Sequence, residues 1–102
     1  MGAEFNTYVY EGPESRLAAH HRRVQHELRI QYGNDTYAGH IGIMPDGIDK
    51  TTKICSSRQE AVELIEAHHN KWQRAMAVAF HRPGSPGTKR KLSFLVGGWC
   101  AS

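Results

Sequence analysis

The stretch AMAVAF, residues 75–80, alternates small and large apolar side chains with a period of two. That period belongs to a strand, where successive side chains point to opposite faces. Met76, Val78 and Phe80 fall on one face and Ala75, Ala77 and Ala79 on the other. Alanines along a whole face leave room for a helix to lie close, so this strand is expected inside a layered α+β domain. Downstream, LSFLVGGWC (92–100) reads as a last strand, and HRPGSPGTKRK (81–91) between the two is a basic loop with two Pro-Gly steps.

Upstream, EFNTYVY (4–10) reads as a first strand, with Phe5, Thr7 and Val9 opposite Asn6, Tyr8 and Tyr10. Pro13 suits the first turn of a helix running from Glu14 to about Tyr32. Its apolar stripe is Leu17, His21, Val24 and Leu28, one turn short of Tyr32. Arg16, Arg22, Arg23 and Arg29 lie off that stripe and are expected in solvent. Gly33-Asn34 ends the helix. TYAGHIGIM (36–44) is expected as a second strand, PDG as a turn, and IDKTTKI (48–54) as a short third strand or an irregular return. Ser57-Arg-Gln-Glu60 matches a capping box and opens a second helix to about Trp72. That helix should bury Ala61, Ile65, His68 and Trp72. The order is β-α-β-(β)-α-β-β. Such runs predict a single α+β domain over residues 1–102, a mostly antiparallel sheet of four to five strands with two helices on one face.

The chain has 102 residues, 39% hydrophobic and 23% charged, as globular domains do. A chain this short buries a modest core, and assembly with further copies is a realistic source of additional burial. No apolar run approaches the ~18 residues of a membrane span, and the N-terminus lacks the basic and apolar regions of a signal peptide. A cytoplasmic protein is expected. Cys55 and Cys100 are then free thiols rather than a disulfide. The net charge of +3 suits an anionic partner and argues against an acidic mimic of nucleic acid.

Seven histidines raise the question of metal. His20-His21 and His68-His69 are neighbours on helices, about 100° apart, and neither pair chelates one ion alone. His21 and His68 share a site only if the two helices pack together. No Cys-x-x-Cys or His-Glu-x-x-His spacing is present, and no metal or other cofactor is expected. Nor do two His-x-Thr/Ser elements or an activated nucleophile support hydrolytic chemistry, so an enzyme is not expected.

Anion binding is better supported. Arg82, Lys89, Arg90 and Lys91 surround the Pro-Gly loop, and arginine grips a phosphate with a planar fork. Trp99 beside Gly97-Gly98 has room over its indole face for stacking. Gly39 and Gly42 stand three apart within a strand pattern, where glycine marks a bulge or the close approach of another group.

The strand ending VYEG, the helix closing in QYGNDTYAGHIG, the helix leading into KWQRAMAVAF and the terminal FLVGGWCAS resemble a group of short phage-encoded proteins of the anti-defence class. Within that class the resemblance is to the Thoeris anti-defence nucleotide sponges. It implies a homo-oligomer with pockets between protomers, acting in the host bacterial cytoplasm. The ligand would be an anionic cyclic nucleotide related to cyclic ADP-ribose, held without cleavage. On physical grounds such a pocket would draw on Tyr37, Gly39, His40 and Gly42, with Arg82 and Arg90 neutralising phosphate and Trp99 stacking on the base. Two other roles suit a basic loop. One is inhibition of a defence complex such as a CRISPR effector by protein binding, and the other is a small RNA-binding module.

Overall fold

The computed structural model describes residues 2–33, 35, 37–81 and 92–102. Four strands form one sheet: β1 (Ala3–Tyr10), β2 (Ile48–Cys55), β3 (Ala75–His81) and β4 (Leu92–Ala101), in the spatial order β1-β4-β3-β2. β4 pairs antiparallel with both β1 and β3, whereas β2 and β3 are parallel. Helix α1 (Leu17–Tyr32) follows a 3-10 turn at Glu14–Arg16, and α2 (Arg58–His68) joins β2 to β3. The α+β class with a mostly antiparallel sheet is therefore what the chain adopts.

The alternation of AMAVAF organises two cores. On the alanine face, Ala75, Ala77 and Ala79 pack with Leu17 of α1 and with Tyr10, Ile41, Met44, Phe94 and Val96. On the other face, Val78 and Phe80 pack with Ala61 and Ile65 of α2 and with Leu95 and Cys55. The alanines do admit a helix at close range, but the two helices cover opposite faces of the sheet instead of sharing one. Chain direction supplies the reason. β1, β2 and β3 run parallel, and the chain crosses the sheet outward from β1 to β2, then back from β2 to β3. Crossovers of one hand that travel in opposite senses put their helices on opposite faces.

Two further expectations are corrected. The stretch read as a second strand forms no strand among its described residues; it bends at 37–40 and closes into a 3-10 turn at Ile41–Ile43. Its backbone groups bond to side chains of α1 and of Asn6 and, at Gly39, to the carbonyl of Ala101 at the very end of β4, so no ladder with a neighbouring strand forms. IDKTTKI, by contrast, is a true strand that runs on through Cys55 to eight residues, with a register shift between Lys50 and Ile54.

The second helix ends at His68, a turn earlier than its stripe suggests. Ala61 and Ile65 are buried, but His68 and Trp72 are exposed and His69 takes the buried place. Ser57 caps the helix by accepting the Glu60 N–H at 3.2 Å. The Glu60 carboxylate does not complete the reciprocal box; it accepts from the Ser56 hydroxyl at 2.6 Å, and that bond holds its pKa below the usual carboxylate value. No helix among the described residues is long and apolar enough to cross a membrane.

Candidate functional site

α1 buries Leu17, His21 and Gln25, a seam advancing by four residues. At 100° per residue, the positions on either side of this seam diverge into two flanks. Val24 and Leu28 lie on the flank toward β1. Arg22, Arg29 and Ala18 lie on the flank toward the Pro45–Gly47 turn that precedes β2.

The turn-side flank is a groove of about 680 Å³, walled by Arg22, Arg23, His26 and Arg29 on one side and by Asp46 and Gly47 on the other. Ala18 and Ala19 keep its upper end open, and Gln25 lies in its floor. Gln25 is held there because its amide donates to Ile41 O at 3.3 Å and Met44 O at 3.1 Å. Arg29 is fixed in the wall. Its Nε donates to Gly42 O at 2.6 Å and its Nη2 to Asp46 Oδ1 at 2.9 Å, the latter a bridge to a carboxylate that is largely in solvent. Arg22 and Arg23 make no ion pair among the described residues. The groove thus carries cationic forks whose charge is only partly offset, gathered along one concave wall.

The β1-side flank holds a second cavity of about 600 Å³, lined by Asn6, Thr7, Tyr8, Val24, Leu28 and Tyr32, with Gly39, His40 and Ile41 across the opening. Two of the residues expected at a ligand, Gly39 and His40, are here. Their groups are already engaged. His40 Nδ1 accepts the Gly42 N–H at 2.9 Å, so the ring proton sits on Nε2, which donates to Gly33 O at 2.8 Å. The imidazole clamps the end of α1 to the following turn and offers no free nitrogen. Gly39 donates to Ala101 O at 2.8 Å and accepts from Asn6 Nδ2 at 2.9 Å. Its φ of +74° disfavours any residue with a side chain. A Cβ on Gly42 would come within 2.7 Å of the His40 ring and 2.9 Å of Gln25 O. What lies close to both glycines is the protein itself.

The remaining expected residues do not join this cavity. Tyr37 is half-exposed and stands edge-on to Trp72, ring centroids 5.6 Å apart. Trp99 packs on Phe5 at 5.0 Å and donates from Nε1 to Glu66 O at 3.1 Å, on the α2 side of the sheet. The glycines before it open no space over the indole. A Cβ on Gly98 would overlap the His69 imidazole, and one on Gly97 would overlap the β1 backbone at Asn6 and Thr7. His69 Nδ1 accepts the Trp99 N–H at 2.9 Å and its Nε2 donates to Arg74 O at 2.9 Å, so this histidine stands in for a strand partner beyond the end of β3. Arg82 and Arg90 lie outside the described residues.

A buried polar pair lies beneath the β1-side cavity. The Tyr8 hydroxyl meets His21 Nδ1 at 2.7 Å, and the rings stack at 12°. Burial lowers the His21 pKa to about 4, with His20 adding to the shift, and burial raises that of the Tyr8 phenol. Both partners are therefore neutral at physiological pH. His21 Nε2 is buried with no hydrogen-bond partner among the described residues. His21 and His68 are on opposite sides of the sheet, and no group of three or more His, Cys, Asp or Glu among the described residues could hold a metal ion. Both cysteines are free and buried, and burial pushes both thiols up.

The residues that sequence reasoning passed over are those of the groove. Arg22, His26 and Arg29 recur at i, i+4 and i+7, a basic stripe beside the buried seam. The stripe is visible in the sequence; the turn that makes it concave is not. Comparison with models of known protein families, with curated proteins and with solved structures gives no match to this chain.

Proposed function

We propose that this chain is a non-enzymatic binding protein that captures an anionic nucleotide and holds it intact. The observation that carries this reading is the groove of Arg22, Arg23, His26 and Arg29, about 680 Å³ in volume, a size suited to a small ligand. Arginine forks at fixed positions recognise phosphate oxygens in pairs. Arg29 is positioned before any ligand arrives, by Gly42 O and Asp46, and this lowers the cost of ordering it on binding. Capture without chemistry also accords with the two cysteines, whose raised pKa values keep them protonated and poorly nucleophilic.

The sequence resemblance suggests the ligand and the setting: a cyclic ADP-ribose-like immune signal, sequestered by a phage counter-defence protein, a homo-oligomer in the host cytoplasm. In this reading the phosphates sit along α1, and the residues of the Gly39–Gly42 segment hold the wall in place from behind.

The test is a thermal-shift panel of cyclic and linear nucleotides, followed by mass spectrometry of ligand released by heating. A sponge gives an upshift that grows with ligand concentration and returns the nucleotide with unchanged mass. An absence of any upshift across the panel, or release of a cleaved product, would defeat the proposal.

A further inference from the structure

Trp72 occupies a backbone position that suits glycine. Residues 70–73 form a turn in which Gln73 N–H donates to Asn70 O at 3.1 Å, and the Gln73 side chain accepts from Asn70 N–H at 3.1 Å. Trp72 is the third residue of this turn, with φ +81°. Turns with that dihedral at the third position take glycine or asparagine there, because a Cβ crowds the neighbouring carbonyl. Every other positive φ among the described residues belongs to a glycine. A bulky aromatic in this region is a genuine outlier, and such outliers gather where a protein grips a ligand.

The strain is not repaid by full burial, since half of the Trp72 surface remains in solvent. Its inner part borders a shallow cleft with Pro45, Met44 and Trp99. Its outer part faces Tyr37, whose ring is nearly perpendicular at 86°. The Lys71 ammonium lies 5.8 Å from the indole centroid. Two rings at a right angle form a corner, so a planar group laid on one ring meets the edge of the other, the favoured geometry for aromatic pairs. A cation beside the corner suits a planar group that carries negative charge nearby.

The corner and the groove share one turn. Pro45 borders Trp72, while the next two residues of the same turn, Asp46 and Gly47, wall the groove of Arg22 and Arg29.

We infer that Trp72 and Tyr37 form a stacking site for the nucleobase of the ligand whose phosphate lies in the α1 groove. The inference builds on the proposed function for the phosphate half of the ligand, while the stacking is measurable by itself. It accounts for a strained tryptophan kept at the surface, and it gives Tyr37 a role away from the Gly39–His40 cavity.

The experiment compares the wild-type protein with Trp72→Gly, Trp72→Ala and Tyr37→Ala, using ADP, adenosine and pyrophosphate as probes. ADP should quench tryptophan fluorescence in the wild type. Both Trp72 variants should weaken ADP by about tenfold, the scale of one base stacked on one aromatic ring, and leave pyrophosphate affinity unchanged. Trp72→Gly should melt at a higher temperature than Trp72→Ala, the reverse of the usual order, which reports the left-handed turn and proves the variants folded. If adenosine quenches through Trp72 while pyrophosphate fails to bind, the stacking site stands and the groove reading falls. If Trp72→Gly binds ADP as tightly as the wild type, or if neither ADP nor adenosine binds at all, the inference is overturned.

Discussion

The two flanks of α1 are similar in size, sit on the same helix, and differ in what their polar groups are doing. Toward β1, the groups the sequence pointed to are spoken for: the His40 ring between Gly33 and Gly42, Gly39 between Asn6 and Ala101. Toward the Pro45–Gly47 turn, Arg22 and Arg23 have no ionic partner among the described residues, and Arg29 shares its charge with an exposed carboxylate. A cavity whose polar rim is internally satisfied holds the fold together. One with unspent charge is poised for a ligand. A glycine-rich segment beside a cavity is thus a weaker sign of a site than a few unpaired cations.

Charge reversal is the largest perturbation of this contrast. Arg22→Glu combined with Arg23→Glu should weaken pyrophosphate and nucleotide binding by at least about a hundredfold, because two charge-assisted contacts become repulsions. Both side chains are exposed, so the melting temperature should barely move. Titration calorimetry on the double variant reads this directly. Unchanged affinity would move the ligand to the other flank.

Acid should act on the β1 side instead. His21 has its folded pKa lowered to about 4 from an ordinary 6.5. The unfolded state therefore takes up its proton first as pH falls. The stability that His21 contributes is complete above about pH 6.5 and is lost progressively down to about pH 4. The full difference is on the order of 3 kcal/mol. Urea melts at pH 7 and pH 4.5 should show most of that loss in the wild type. His21→Phe should remove this component of the slope. A pH dependence unaltered by that change would mean that other groups carry the acid sensitivity.

Gly42→Ala is smaller and probes the joint between the flanks. The new Cβ would press on the His40 ring and on Gln25 O. Overpacking of this kind costs about 1–3 kcal/mol. Because Gly42 O is also the acceptor that orients Arg29, the variant should lose anion affinity by a few-fold as well. A denaturant midpoint at the wild-type value would show that the segment gives way freely.

These two flanks also measure how far the sequence could be read. The strand AMAVAF, the first strand, the last strand and the body of both helices were legible because their apolar periods are strong and local. TYAGHIGIM was not. Its alternation mimics a strand, but its bonds go to Arg29, Gln25 and Ala101, distant partners that no local pattern encodes. The placement of the helices on two faces follows from β3 lying between β1 and β2 in the sheet, again a long-range arrangement. For the site, the arginines of α1 were visible as charge and read as solvated. Whether a charged stripe is open surface or the wall of a groove depends on the Pro45–Gly47 turn, 16 or more residues from any of them.

The smallest expected effect has the opposite sign to the first, and for that reason it discriminates well. Among the described residues Asp46 is the one acidic group lining the groove, and its side chain is 83% exposed. An exposed bridge of this kind contributes ~0–1 kcal/mol to stability. Asp46→Asn should therefore leave the melting temperature close to the wild-type value. Its effect on binding is different, because Asp46 competes with an incoming phosphate for the Arg29 guanidinium and adds negative charge to the wall. Removing that charge should strengthen pyrophosphate binding by roughly two- to fivefold at low salt, an increment of about 0.4–1 kcal/mol. The gain should shrink as salt is raised and screening takes over. A general loss of fold or a ligand seated on the β1 flank would produce either weaker binding or no change. Tighter binding at low salt, from a change that removes an interaction, is the outcome expected of a phosphate seated in the groove beside Asp46.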